Sequence, residues 1–370
     1  MAGIYVHIPY CRHACTYCDF HFSVNRQSSG AMVQALVKEA HLQRDELQQP
    51  VSTLYFGGGT PSVLSETEVN HLMSGLRKAY DLERVEEFTV EANPEDITEA
   101  MLDIWQRAGM NRLSIGIQVF DSGMLQWMNR HHSPQQAIDA VYRAKKAGIS
   151  NITVDLIFGL PDQDLAHWQA QLEQVIDLDV PHISVYGLSV EEKTVLHRQV
   201  TDGIIRLPED HFAEMFITAH NTLSGAGFGH YEISNYARPG WESRHNSAYW
   251  NGTEYLGLGP SAHSWCRGQR WWNISSNAGY IQALQKDTLR AAYEAASANT
   301  VWNEWVMLQL RQSRGITADV LATLEDDDRK LLIDVRSTLD DRWFEAGPDI
   351  RLSPLGMVFS DSVMAAMMKV

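Results

Sequence analysis

Cys11, Cys15 and Cys18 stand in the run Cys-Arg-His-Ala-Cys-Thr-Tyr-Cys, a C-x3-C-x2-C spacing. Three thiolates so placed can hold a cubane [4Fe–4S] cluster through three of its irons and leave the fourth without a protein ligand. An open iron can chelate the amino and carboxylate groups of S-adenosylmethionine, whose sulfonium is then cleaved by one electron to a 5′-deoxyadenosyl radical. Other uses of the thiols fit less well. Zinc sites usually pair C-x2-C units with two more ligands, and the remaining cysteine, Cys266, is far away in sequence. Four cysteines in 370 residues are also too sparse for a disulfide framework.

Such a cysteine loop has to be carried by a scaffold, and the chain supplies a regular one. Short β-rich runs recur at 4–8, 53–56, 87–91, 113–118, 152–158 and 182–186. Amphipathic stretches lie between them: Val33, Leu36, Val37 and Ala40; Met101, Ile104, Trp105 and Ala108; Leu165, Trp168, Leu172 and Val175, each at i, i+3, i+4, i+7 or close to it. Strand–helix alternation predicts parallel βα units. Six units with near-continuous apolar strands predict an α/β fold, an incomplete (β/α)6 barrel with its functional groups at the carboxyl ends of the strands. We expect residues 1–190 to form this partial barrel and 191–297 an extension of it. The expected third part, 298–370, is a small C-terminal α/β domain of helix, charged turn (Glu325 to Asp328), helix and a short strand near Leu352.

On the predicted rim, Gly57-Gly58-Gly59-Thr60-Pro61 follows the second strand. A triglycine lets backbone approach a ligand closely, although a glycine-rich turn between strand and helix also occurs without one. Its place one strand after the cysteine loop favours binding. Glu91, Gln118, Arg130 and Asp155 fall on the same rim. Asp155 sits between Val154 and Leu156 in an apolar strand, where burial without a partner is costly, so a ligand or an arginine is expected beside it. From Phe228 to Asn273 the chain is rich in glycine, histidine and tryptophan. That density suits a pocket lining, and it suits an ordinary core as well.

Composition narrows the function. Apolar residues make up 44% of the chain and charged ones 21%, with a formal net charge of −16. An acidic surface argues against phosphate-backbone binding, so nucleic acid is not an expected partner. No apolar run approaches the roughly 18 residues that span a bilayer. The initial Met is followed at once by a strand-like run, so we expect a cytoplasmic protein without a membrane anchor.

Taken in order, Tyr5-Val-His-Ile-Pro-Tyr-Cys11, Gly-Gly-Gly-Thr-Pro, Val90-Glu-Ala-Asn-Pro94, Ser114-Ile-Gly-Ile-Gln118 and Asp155-Leu-Ile-Phe-Gly-Leu-Pro161 resemble the radical S-adenosylmethionine enzymes related to oxygen-independent coproporphyrinogen III dehydrogenase. The ending Leu352-Ser-Pro-Leu-Gly356 is similar to that of their C-terminal domain. The resemblance implies that Cys11, Cys15 and Cys18 ligate the cluster, with Tyr5 and Tyr17 beside it. It implies that Gly57, Gly58, Gly59, Thr60 and Glu91 hold S-adenosylmethionine, and that Gln118, Arg130 and Asp155 line a deeper cavity that in the dehydrogenase holds a second molecule of it.

Two departures separate this chain from the dehydrogenase pattern. Where that motif carries a further cysteine two residues after the third, this chain has Asp19-Phe20. In addition, Arg244-His245-Asn246-Ser247-Ala248-Tyr249-Trp250, followed by Leu256-Gly-Leu-Gly-Pro-Ser-Ala-His263, resembles the H-N-x-x-Y-W signature of the HemW heme chaperones. That resemblance implies heme as a ligand, heme-accepting apo-proteins as partners, and His245 as a heme contact. An imidazole is a common axial ligand, although most of fifteen histidines serve as surface or core residues. His263 and Cys266 are weaker alternatives, and His7 could stabilise the cluster by a hydrogen bond. The competing activity is oxidative decarboxylation of coproporphyrinogen propionates.

Overall fold

The structure is a computed structural model that describes residues 1–208, 211–289 and 291–369. Among these residues the backbone forms one open sheet of twelve strands: β1 Ala2–Ile8, β2 Val51–Gly58, β3 Glu87–Ala92, β4 Arg112–Gln118, β5 Asn151–Phe158, β6 His182–Gly187, β7 Gly229–Glu232, β8 Asn235–Ala237, β9 Tyr255–Leu258, β10 His263–Cys266, β11 Gln269–Asn273 and β12 Ala291–Tyr293. β1 to β6 pair in parallel in sequence order. The runs read from sequence differ from these strands by two residues at most at either end.

The edges of this parallel array are extended rather than joined. β9 pairs in parallel with the outer edge of β1, and β10, β11 and β12 continue antiparallel from it. At the other edge β8 and β7 add antiparallel to β6. The result is an incomplete barrel. Pairing of β9 with β1 brings the glycine- and tryptophan-rich segment next to the strand that leads into the cysteine loop.

Local chemistry explains the helices on the outer face. The helix Glu66–Ala79 starts with a Ser65/Glu68 capping box, and Pro134–Lys146 with Ser133/Gln136 and a proline in its first turn. Helix Glu99–Ala108 ends on Gly109 at φ 111°, the left-handed conformation that glycine adopts without penalty. Its Trp105 is buried against Phe56 of β2 and Phe88 of β3, with ring centroids 5.4 and 6.2 Å away. Val37 and Ile104, read as core-facing, are partly buried against the same core.

Glu39 ties the barrel to its extension. It lies on helix Ser29–Leu42 with no exposed surface, and its carboxyl accepts from Gln43 at 2.8 Å, the Gly259 N–H at 2.7 Å and Asn273 at 2.6 Å, and from the Tyr280 hydroxyl. Four donors compensate a buried carboxyl that has no cationic partner among the described residues.

The chain beyond 298 is mainly helical. In helix Ala298–Leu310, Trp302, Val306 and Leu310 are buried in the core that the barrel shares, whereas Trp305 and Leu308 face a pocket. The strand expected near Leu352 is present only as single bridges, Phe344 with Leu352 and Ile316 with Ile350. Among the described residues, no helix is long and apolar enough to cross a membrane.

Candidate functional site

The cysteine loop leaves β1 and is pinned on several sides. The Cys11 N–H donates to the Ser23 carbonyl at 3.1 Å and the Thr16 N–H to Met128 at 3.2 Å, while Asn129 donates its side-chain amide to Ala14 at 2.7 Å. Arg12 pairs with buried Asp96, which also accepts from Ser62 at 3.0 Å. All three thiols are free and partly buried. Burial pushes Cys11 up to about 11 and Cys18 to about 12, so both are neutral thiols until a metal takes their protons.

Two groups approach the sulfurs. The Thr60 hydroxyl donates to Cys11 Sγ at 3.4 Å, and Arg130 Nη1 approaches Cys15 Sγ at 3.7 Å. Asn93 joins them, accepting from Arg130 at 2.8 Å and donating to Thr60 Oγ1 at 3.2 Å. A polar brace thus runs from the end of β4 to the cluster loop, and its guanidinium offsets the charge of thiolates. Tyr17 packs beside it in a small apolar cluster with Leu125, Met128 and Leu196. Among the described residues, no three His, Cys, Asp or Glu side chains converge on a single ion. That is compatible with a cubane, whose thiolates each take a different iron. Three thiols on one braced loop, with a donor and a cation directed at them, fit such a cluster.

The triglycine is required by its surroundings. Gly58 has φ +96°, and a Cβ there would lie 2.3 Å from His7 Nδ1. One at Gly59 would meet the Ile8 carbonyl at 2.6 Å, and one at Gly57 the Glu91 carboxyl at 2.9 Å. The glycines therefore serve close packing against β1 and β3 as well as any ligand. Glu91 accepts from the Tyr55 hydroxyl at 2.6 Å and from the Gly58 N–H. Burial and then nearby Asp155 push its carboxyl up to about 7, with those hydrogen bonds opposing. A carboxyl facing a pocket without a cationic partner among the described ion pairs fits the ammonium of an amino-acid ligand.

Deeper in the barrel, Asp155 accepts from Ser114 at 3.1 Å and from Ser184, and burial pushes it up to about 6. The partner anticipated for it is a pair of hydroxyls rather than a bonded arginine. The cavity it lines, with Tyr55, Glu91, Arg112, His182 and Tyr186, holds about 40 Å³. Gln118 ends β4 at φ 70°, and its side chain turns back towards Gly116. Arg130 donates to the Gly116 carbonyl, so Gln118 and Arg130 share one wall beside the cysteine loop.

A pocket of about 880 Å³ opens between β1, the cysteine loop, the 249–270 segment and helix Ala298–Leu310. Tyr5, Gly58 and Glu91 form its barrel side, and Tyr249, Trp250 and Trp305 are among its aromatic walls. Its volume lies within the range of cofactor sites. Arg311 stacks over the Trp250 ring at 4.5 Å while pairing with Glu232 at 3.0 Å, which fixes that wall to the C-terminal helices.

His245 lies outside this pocket. It is 2% exposed, with Nδ1 bonded to Thr53 Oγ1 at 2.8 Å and Nε2 to the Tyr249 hydroxyl at 2.9 Å. Its N–H donates to Glu87 at 2.9 Å, and burial depresses the imidazole to about 3. Both ring nitrogens are engaged, so in this arrangement His245 positions Tyr249. His7 bonds the Tyr5 hydroxyl and the His21 carbonyl rather than a cysteine, and His13 stacks on His131 at 3.3 Å. Cys266 is buried and donates to the Tyr255 carbonyl at 3.3 Å. Sequence reading assigned no role to Asn93 or Tyr55; the only signal for Asn93 was its place in the turn after the third strand.

Residues 5–175 match the Radical SAM superfamily. The heme chaperone HemW of Lactococcus lactis is 37% identical over 85% of this chain and 83% of its own length. That of Bacillus subtilis is 35% identical over 86% and 85%. The solved structure of coproporphyrinogen III oxidase (HemN) from Escherichia coli superposes with a TM-score of 0.81 at 23% identity, covering 100% of this chain and 90% of that one, which shows a shared fold. Sequence identity of that extent, on a partial barrel that carries the cysteine loop at its mouth, places this chain in the HemW heme chaperone family of radical SAM proteins.

Proposed function

We propose that this protein binds heme in the 880 Å³ pocket and passes it to heme-requiring apo-proteins. In this reading Cys11, Cys15 and Cys18 hold a [4Fe–4S] cluster, and the Gly57–Thr60 turn with Glu91 holds S-adenosylmethionine. The observation that carries it is the pocket itself: aromatic walls from Tyr249, Trp250 and Trp305, the His263 imidazole with no hydrogen bond to its nitrogens among the described residues, and a side formed by Asp19 and Phe20 directly after the cysteine loop. Heme needs apolar area for its faces and a nitrogen for its iron, and these walls offer both. The relatives of Lactococcus lactis and Bacillus subtilis are heme chaperones, which supports the same ligand.

When bound, the cluster supplies an iron able to chelate the amino and carboxylate groups of S-adenosylmethionine and an electron for its sulfonium. The chain's own residues do the rest. Arg130 and Thr60 stabilise thiolate charge at Cys15 and Cys11, Glu91 meets the ligand's ammonium, and Tyr249 is held at the pocket wall by His245. Asp19 and Phe20 occupy the positions just after Cys18 and line the heme pocket, where the dehydrogenase pattern carries another thiol.

Anaerobically reconstituted protein should bind hemin with a shifted Soret band. Supplied with coproporphyrinogen III, S-adenosylmethionine and reductant, it should form no protoporphyrinogen. Turnover of that substrate would replace the carrier reading by the decarboxylase one.

A further inference from the structure

The heme pocket contains three imidazoles, and their hydrogen bonding separates them. His7 uses both ring nitrogens, on the Tyr5 hydroxyl at 3.1 Å and the His21 carbonyl at 2.8 Å. His21 has Nε2 fixed on Asn277 Oδ1 at 2.7 Å. His263 has no hydrogen bond to either nitrogen among the described residues, yet it lines the pocket and is exposed to it. It opens β10, and its ring lies nearly parallel to Trp272 of the paired strand, 5.6 Å away and tilted by 23°. Stacking on a strand-borne indole fixes the ring plane and leaves the nitrogens free for a ligand.

The local backbone is built to keep it there. Gly257 lies where a Cβ would come within 2.1 Å of the His263 carbonyl oxygen, and Ser261, in the turn before it, adopts φ 65°. Such non-glycine left-handed backbone is maintained only where its surroundings enforce it. Across the pocket, Trp305 and Leu308 from helix Ala298–Leu310 supply apolar surface. Although one side of the ring is open to the pocket, its partial burial and the neighbouring Arg270, opposed by Glu294, lower the basicity of His263, which favours the neutral imidazole that metals bind.

We propose that His263, rather than His245, is the axial ligand to heme iron in this pocket. The inference rests on the heme reading above and adds the identity of the iron ligand. His245 acts behind it, through its bond to Tyr249.

The test is an anaerobic titration of the full-length reconstituted protein with hemin and, separately, with metal-free protoporphyrin IX, followed by absorption and electron paramagnetic resonance. Wild type should show an imidazole-ligated iron spectrum. His263→Ala and His263→Gln should lose that spectrum and bind hemin about tenfold or more weakly, keep their affinity for protoporphyrin IX, and regain the imidazole spectrum when free imidazole is added. His21→Ala should keep the wild-type spectrum. If both His263 variants retain wild-type spectrum and affinity, His263 is not the ligand, and loss in His245→Ala or His21→Ala instead would name the residue that is. If wild type binds neither porphyrin, the heme reading fails and takes this assignment with it.

Discussion

Replacing Glu91 with glutamine should make the empty protein more stable and the loaded one weaker. In the folded chain the carboxyl titrates at about 7, against an ordinary value of 4.5. A folded state that holds its proton more tightly than the unfolded one loses stability as pH rises from 4.5 towards 7, and the whole penalty is present above 7. At about 1.4 kcal/mol per pH unit the ceiling is roughly 3 kcal/mol. Because Glu91 is partly exposed to a wet pocket, solvent reduces this, and about 1–2 kcal/mol is the working figure. At this chain length that corresponds to a rise of about 1–3 °C in the thermal midpoint of Glu91→Gln at pH 8. At pH 5 most of that difference should vanish, since folded Glu91 is then protonated and the penalty has only begun to build. The same variant should bind S-adenosylmethionine about tenfold or more weakly, having lost the charge that meets the ammonium. Scanning fluorimetry at pH 5 and 8, with and without ligand, reads all four quantities. A variant no more stable than wild type at pH 8, or one that binds the ligand as well, would refute the picture of an uncompensated carboxylate awaiting a cation.

Three further substitutions test the scaffold. Gly58→Ala forces φ +96° on an L-residue, at about 1–2 kcal/mol, and pushes a methyl into the His7 ring, at about 1–3 kcal/mol more; denaturant unfolding should show the sum, and a loss below 1 kcal/mol would contradict the packing described. Glu39→Ala leaves four buried donors without their acceptor, so stability should fall by about 3–5 kcal/mol, and an unchanged denaturation midpoint would show that the node is not structural. Arg130→Ala removes the cation beside Cys15 and one end of the Asn93–Thr60 brace; iron retained after anaerobic reconstitution and desalting should fall about tenfold, whereas wild-type iron content would remove Arg130 from any role at the cluster.

Much of this arrangement could be read from the chain because it is encoded locally. Strands β1 to β6 are near-continuous apolar runs separated by amphipathic helices, and of the residues placed on the rim Glu91 and Gln118 stand at the ends of their strands, whereas Asp155 lies in the middle of β5. What escaped was non-local. β9 is four residues with a glycine inside it, Tyr255–Leu258, and reads as a loop; only its parallel pairing with β1 makes it a strand. His245 belongs to a motif whose residue types suggest a ligand, but its two bonded nitrogens depend on Thr53 and Tyr249, and Thr53 lies far away in sequence on β2 while His245 is on the helix Arg244–Trp250. Periodicity does not report hydrogen-bond saturation. The contrast between His245 and His263 could only come from their partners in space. In the same way Asn93 looked like turn punctuation until Arg130 and Thr60 were found on either side of it.

The carrier reading is tested most directly by mixing anaerobically reconstituted, heme-loaded protein with a heme-free apo-cytochrome and following the cytochrome's own absorption spectrum. The cytochrome should gain heme as this protein loses it, faster than from an equal amount of heme bound to serum albumin. Heme that never leaves the pocket, or that leaves no faster than from albumin, would contradict it.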